Sequence, residues 1–292
     1  MFIIFQKTWD RLWFKPLDAH SAGAFRIATG LLCFTMYLCL APNWIRFFAA
    51  DGILSLSTGG RARTDDVWSL FHLADGYVNT YVLLGVGIVA SISFTIGFKT
   101  RTSTILLFLL QASMIHRTRA VVNGEDLVLR MLLFYSCFAP LGSELSVDAW
   151  LSRKKGVEPK SSMIWPIRLM QINFALIYAF SLPIKLQSDV AWLNGDLMYY
   201  VLINETWSRW LWPEVLYNGV LSKIMTYAAL MTEGLFPVLV WFKRARIPCV
   251  LVAMFFHVCI AIVLNYVTFF SLSMFCGLVI FLPGDLFRNP KL

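Results

Sequence analysis

The stretch PCVLVAMFFHVCIAIVLN, residues 248–265, is followed after Tyr266 by VTFFSLSMFCGLVIFLP, residues 267–283. Neither run holds a carboxylate, and His257 is the one side chain in them able to carry a positive charge. About 20 mostly apolar residues suffice for a helix to cross the hydrocarbon core of a bilayer. The first run is long enough to do so. The second is somewhat short, a mismatch that local thinning of the bilayer accommodates. Two consecutive runs of this kind point to a membrane-embedded helical hairpin rather than a soluble core.

Working outward, six further apolar segments stand out at about 22–42, 77–98, 102–116, 127–142, 164–184 and 224–242. Seven to nine spans fit the pattern, and eight fits best. The whole chain agrees: of 292 residues, 58% are hydrophobic and 14% charged, and mean hydropathy is +0.67. Soluble domains run nearer a quarter charged. The expected fold is therefore an all-α, polytopic membrane helical bundle with about eight transmembrane helices plus interfacial helices, one domain over residues 1–292.

A net charge of +8 could suggest nucleic acid, but in such a chain cations mark the cytoplasmic face. With the N-terminus inside, the loops on that side hold fourteen Lys and Arg, and those on the other side hold seven. That bias predicts both termini cytoplasmic in a multi-pass protein of the inner (plasma) membrane, with the lipid bilayer as partner and no nucleic acid. Two long connections, 43–76 and 186–223, then face outward with Trp44, Trp68, Trp192, Trp207, Trp210 and Trp212, a residue type that favours the headgroup level. Residues 197–212 read as a short interfacial helix, and Phe2 to Lys15 as another on the inner side. The six cysteines fall in apolar stretches and behave as small hydrophobes. No spacing of Cys or His suggests a metal site. His20, His72 and His116 share no ligand spacing.

Ionisable residues inside spans cost roughly 2.5–3.5 kcal/mol each on insertion scales, so each needs a partner or a use. Arg26 and Arg168 lie near the inner ends of the first and fifth spans, where they can snorkel or donate to carbonyls. Arg130 stands one turn after Asp126, an i,i+4 pair. Glu233, near the middle of the sixth span, calls for a cation such as Arg26 or Arg168, or serves as a proton relay. Arg26, Arg130 and Arg168 are thus candidates for a structural ion network. Lys185 ends the fifth span after Pro183. It is either a snorkelling anchor or a base, since a lysine in a dry setting gives up its proton more readily. His257 is a packing residue or a cavity-lining one.

Several motifs then follow in order: Asp18 to Ile27, Asp51-Gly-Ile-Leu54, Gly97-Phe-Lys-Thr-Arg101, His116 to Asp126, Phe138-Ala-Pro-Leu-Gly142, Tyr178 to Lys185 with Trp192 and Gly195, Glu233-Gly-Leu-Phe-Pro237, Phe256-His257 and Phe281-Leu-Pro283. Over about residues 18–285 the chain resembles the HTTM (horizontally transferred transmembrane) family, which includes the membrane part of vitamin K-dependent gamma-carboxylase. The resemblance implies that Lys185, with Leu186, Trp192 and Gly195, matches a base that deprotonates a quinol, and that His257 matches a membrane-domain histidine in a Phe-His context. It implies a quinone or quinol as cofactor. A catalytic histidine of the carboxylase follows an Asn pair, whereas Val122-Asn123-Gly124-Glu125-Asp126 holds no histidine. The carboxylase also continues into a large luminal domain, while this sequence stops at Leu292, so a propeptide-bearing substrate is not expected. Another branch of the family takes part in maturing secreted peptides.

The resulting expectation is a membrane-embedded, quinol- or lipid-cofactor-dependent enzyme or peptide-maturation factor acting at the non-cytoplasmic face. Lys185 and His257 would be catalytic, and Asn123, Glu125, Asp126, Glu233 and Trp192 would bind substrate or cofactor. The alternative is a non-enzymatic accessory protein that binds a secreted peptide or small membrane protein. Residue types alone leave open whether the chain is an enzyme.

Overall fold

A computed structural model describes residue 13 and residues 19–53, 68–73, 76–157, 164–210 and 218–288. Each of the eight apolar segments folds as a helix. These are α1 (Ala19–Leu40), α4 (Tyr77–Ile96), α5 (Thr100–Arg117), α6 (Gly124–Ser136), α8 (Trp165–Ser188), α11 (Gly219–Leu239), α12 (Lys243–Val263) and α13 (Thr268–Leu278). Shorter helices lie between them: α2 (Trp44–Phe48), α3 (Leu70–Leu73), α7 (Val147–Lys154), α9 (Val190–Asn194) and α10 (Leu197–Ile203). Among the described residues no β-strand forms beyond a single antiparallel bridge between Ser208 and Leu264. Among the described residues, four stretches are long and apolar enough to cross a membrane: Ala19–Phe48, Tyr77–Ile96, Trp165–Ser188 and Lys243–Val263. All eight expected segments are helical, but length and composition support four crossings rather than settling on eight.

The chain divides into two compact units, Met1–Arg168 with Pro283–Leu292, and Leu169–Leu282. In the first, α1 and α4 approach at Gly30, where an added Cβ would lie 2.9 Å from the Thr95 backbone. Small residues permit such close helix contacts in membranes. The turn between α4 and α5 is built on Gly97, left-handed at φ +71. Its N–H donates to Phe94 O at 3.1 Å, and the N–H of Phe98 donates to Ser93 O at 2.9 Å, a glycine cap of the usual kind. Asp148 of α7 then caps α5, accepting from the N–H groups of Lys99 (2.9 Å) and Thr100 (2.8 Å) and from Thr100 Oγ1 (2.7 Å).

Trp44 departs from expectation. It is fully buried rather than interfacial, packed among Tyr37, Phe48 and Phe71, with Nε1 donating to Thr80 O at 2.7 Å. Its indole N–H is satisfied internally, so it does not need the headgroup region. Trp68, Trp207 and Trp210 are exposed as expected. Trp212 and the expected interfacial segment from Phe2 to Lys15, Trp13 excepted, lie outside the described residues.

The second unit is α9 to α13 with the body of α8. Pro183 sits inside α8 and Pro237 inside α11 without ending either helix. Gly277 of α13 lies against the Phe174 ring, where a Cβ would approach within 2.7 Å. The expected helix over 197–212 is shorter than its sequence suggested and ends at Ile203. Asn204 Oδ1 accepts from the Thr206 N–H at 2.9 Å, a local Asx turn that competes with helix. Beyond it, the Arg209 N–H donates to Val263 O at 3.0 Å and the Asn265 N–H to Trp207 O at 2.8 Å, which ties this segment to the C-terminal end of α12.

Candidate functional site

Three positions of α8, Tyr178, Ser181 and Lys185, are spaced i, i+3 and i+7 and so share one stripe of the helix. That stripe meets Glu233 of α11. Lys185 Nζ pairs with Glu233 Oε1, and Ser181 Oγ donates to Glu233 Oε2 at 2.9 Å. The carboxylate side chain is 8% exposed and the lysine 24%. α8 and α11 come close here because residue 234 is glycine, whose Cβ would already stand 3.1 Å from Leu182 Cδ2. In this apolar setting each charge needs the other: a carboxylate or ammonium alone would lose its hydration with no return.

A third side chain fixes the lysine. Its Nζ lies 4.8 Å above the Trp192 ring, within cation–π range. Trp192 belongs to α9, capped at its start by Asp189, which accepts from the Ala191 N–H at 2.8 Å, and closed by Gly195 in the left-handed region at φ +79. A Cβ at Gly195 would press on Lys223 and Tyr227 of α11. Tyr227 Oη donates to Leu193 O at 2.9 Å, which holds the short helix in place.

One turn further into α8, Tyr178 Oη and His257 Nε2 of α12 share a 2.7 Å hydrogen bond. Both side chains are buried, His257 at 3% exposure. Tyr178 packs on Phe236 at 4.4 Å between ring centroids, and His257 meets Phe270 edge-on. The Lys185 charge acts on His257, and the Glu233 charge acts on Tyr178, so the four groups form one electrostatic cluster. His257 Nδ1 is buried and makes no hydrogen bond among the described residues. A buried polar nitrogen left in that state costs free energy unless something else meets it.

The expected pairing of Glu233 with Arg26 or Arg168 is corrected: its cation is Lys185. Arg26, in the first unit, is 0% exposed and spends its donors on carbonyls, with Nη1 reaching Leu141 O at 2.8 Å and Glu144 O at 3.3 Å, and Nη2 reaching Leu145 O. Arg168 stands half-buried in the first turn of α8. The Asp126–Arg130 pair does not form among the described residues. Asp126 turns back as a helix cap, with Oδ2 accepting from the Asn123 N–H at 3.1 Å and Oδ1 from Gln111 Nε2 at 3.1 Å. Helix capping captures an acid in the first turn more directly than a pair one turn on. Glu125 and Asp126 are both held above the ordinary carboxylate range, chiefly by burial, with hydrogen bonds opposing the effect.

The structure therefore gathers Lys185, Trp192, Glu233 and His257 into one cluster within the second unit. Asn123, Glu125, Asp126 and Arg130 lie together in the first. Sequence reading missed Tyr178 and Ser181 as members of the cluster, although their spacing to Lys185 on α8 is the signal that places them there.

No curated protein and no solved structure matches this chain. A family model described as the HTTM domain matches residues 64–285, about three quarters of the chain, and takes in every residue of the Lys185–Glu233–His257 cluster. The motifs at residues 18–27 and 51–54 precede the matched region. With helices long and apolar enough to span a bilayer and that match, the chain belongs to the HTTM domain family of membrane proteins.

Proposed function

We propose that this protein is a membrane-embedded enzyme that removes a proton from a lipophilic hydroxyl compound of the quinol class, with Lys185 as the base. The observation that carries the reading is the Lys185–Glu233 pair, a titratable ammonium that is part-exposed while its carboxylate is buried. Lysine, unlike arginine, can be deprotonated within a protein. A lysine can pass its proton to the adjacent carboxylate and present a free amine lone pair.

In this reading Glu233 takes one proton from Lys185 and Ser181 steadies the carboxylate through its other oxygen. The neutral amine then accepts the hydroxyl proton, which restores the ammonium over the Trp192 face. Re-formation of the ammonium beside the now neutral Glu233 carboxyl and the indole stabilises the hydroxyl's oxyanion as it develops, and Glu233 must then release its proton to reset the pair. The quinol would supply an acidic hydroxyl and, once ionised, an oxidisable ring. Tyr178 and Phe236 would offer such a group apolar aromatic surface, and the buried Nδ1 of His257, which makes no hydrogen bond among the described residues, would offer it a polar contact. Peptide maturation and action at the non-cytoplasmic face belong to the same proposal.

The test is oxidation of a membrane-soluble naphthoquinol by dissolved dioxygen, as the two-electron acceptor, in liposomes that carry the protein. General-base groups contribute roughly 10²–10⁴-fold, so Lys185→Ala should slow oxidation by at least about a hundredfold. Glu233→Gln, which keeps the Ser181 hydrogen bond but cannot take the proton, should slow it less. No quinol oxidation by the wild-type protein, or full activity in Lys185→Ala, overturns the proposal in favour of the accessory role.

A further inference from the structure

We propose that the hairpin of α4 and α5 holds an anionic phospholipid, its acyl chain in a groove between the two helices and its phosphate at Lys99, with Arg101 adding charge from the same turn. The site lies within the first unit and does not depend on the Lys185 reading. The groove has a volume of about 520 Å³ and is walled by Val82, Gly85, Val86, Val89, Phe98 and Leu106, with Lys99 among its lining residues. That volume falls in the range of real ligand sites. Val82 and Val89 are more than half exposed and Phe98 is 41% exposed, so the groove opens on an apolar helix face. On a helix that crosses a bilayer, hydrocarbon is the medium such a face meets.

The charge at the α4–α5 turn selects the headgroup. Lys99 and Arg101 are both exposed. The neighbouring helix α7, tied to the turn by the Asp148 N–H to Gly97 O bond of 2.9 Å, ends in Lys154 and is followed by Lys155. The carboxylates nearby are already engaged. Asp148 is taken by the start of α5, and Glu144 pairs with Arg153 at 2.5 Å. Trp150 is 60% exposed with Lys154 Nζ 5.4 Å over its ring, the arrangement of an interfacial anchor. One end of the groove thus carries uncompensated positive charge and the rest is apolar, which is the complement of an amphiphile with an anionic head.

The test is native mass spectrometry of the whole protein offered phosphatidylglycerol and phosphatidylcholine in equal amounts. The wild-type protein should retain phosphatidylglycerol preferentially. Each cation near a headgroup contributes about fivefold in affinity, so Lys99→Gln with Arg101→Gln should lower that retention about thirtyfold, to the level of phosphatidylcholine. The ammonium of Lys99 makes no hydrogen bond among the described residues, so the single variant Lys99→Gln, expected to lose about fivefold, reads the same effect if the double does not fold. A Cβ at Gly85 meets nothing within 4 Å, so Gly85→Leu should fill the groove and lower retention of both lipids. Equal retention of the two lipids by the wild-type protein, or unchanged phosphatidylglycerol retention in Lys99→Gln, overturns the site.

Discussion

Arg26 in the first unit and Lys185 in the second are both cations set into apolar helices, and their surroundings treat them in opposite ways. Arg26 is wholly buried, and its guanidinium is met by the backbone carbonyls of Leu141, Glu144 and Leu145. These are neutral acceptors that cannot take its proton. Lys185 stays part-exposed and is met by a carboxylate, which Ser181 in turn holds, and by an aromatic face. The first arrangement suits a permanent charge that fastens the 141–145 turn to α1. The second pairs the cation with a group that is chemically able to accept its proton. Within one chain, the partner chosen for a buried cation separates a fastening from a candidate reaction centre.

Three perturbations sharpen that contrast. The largest effect is expected at Arg26. Arg26→Met leaves two or three buried carbonyls unpaired at about 1–3 kcal/mol each, so unfolding in detergent should be easier by roughly 2–9 kcal/mol. No second substitution should restore it, because backbone groups cannot be mutated away. At the other cation, Lys185→Met should cost about 3 kcal/mol by stranding Glu233, and Glu233→Leu a similar amount by stranding the lysine. The double variant should recover most of the loss, since an apolar pair of similar volume replaces a buried ion pair at little cost. If the double is as unstable as the sum of the singles, the two side chains do not act as a pair.

The smallest effect concerns pH. Burial raises the folded-state values of Glu125 and Asp126 above those of the unfolded chain. The folded state then binds protons more tightly than the unfolded one. Stability should therefore rise as pH falls from neutral through those raised values, and level off near the unfolded carboxylate range of roughly pH 4. Asp126→Asn should flatten part of that slope in a melting series. An unchanged slope would remove Asp126 from the account.

The helices were legible because hydropathy is a local property: each of the eight apolar runs needed only its own residues to declare itself. The ionisable members of the site were legible for a related reason. Lys185, Glu233 and His257 stand out against apolar surroundings whatever the fold does with them. Their partners were not. Lys185 and Glu233 are 48 residues apart and Tyr178 and His257 are 79 apart, and which faces meet depends on helix rotation that residue type does not record. Arg26 looked equally able to serve Glu233, yet its acceptors are main-chain carbonyls, which carry no signature in the side-chain alphabet. Trp44 shows the same limit, since its indole N–H found Thr80 O inside the fold instead of the interface.

The measurement closest to the central claim is the rate of naphthoquinol oxidation by Lys185→Arg across a pH series. Arginine keeps the positive charge beside Glu233 and over Trp192 but does not give up its proton in this range. The account predicts a folded protein with wild-type stability whose oxidation rate is lower by at least about a hundredfold, with no recovery as pH rises. A Lys185→Arg protein as active as the wild type would contradict it, and would place Lys185 alongside Arg26 as a fastening.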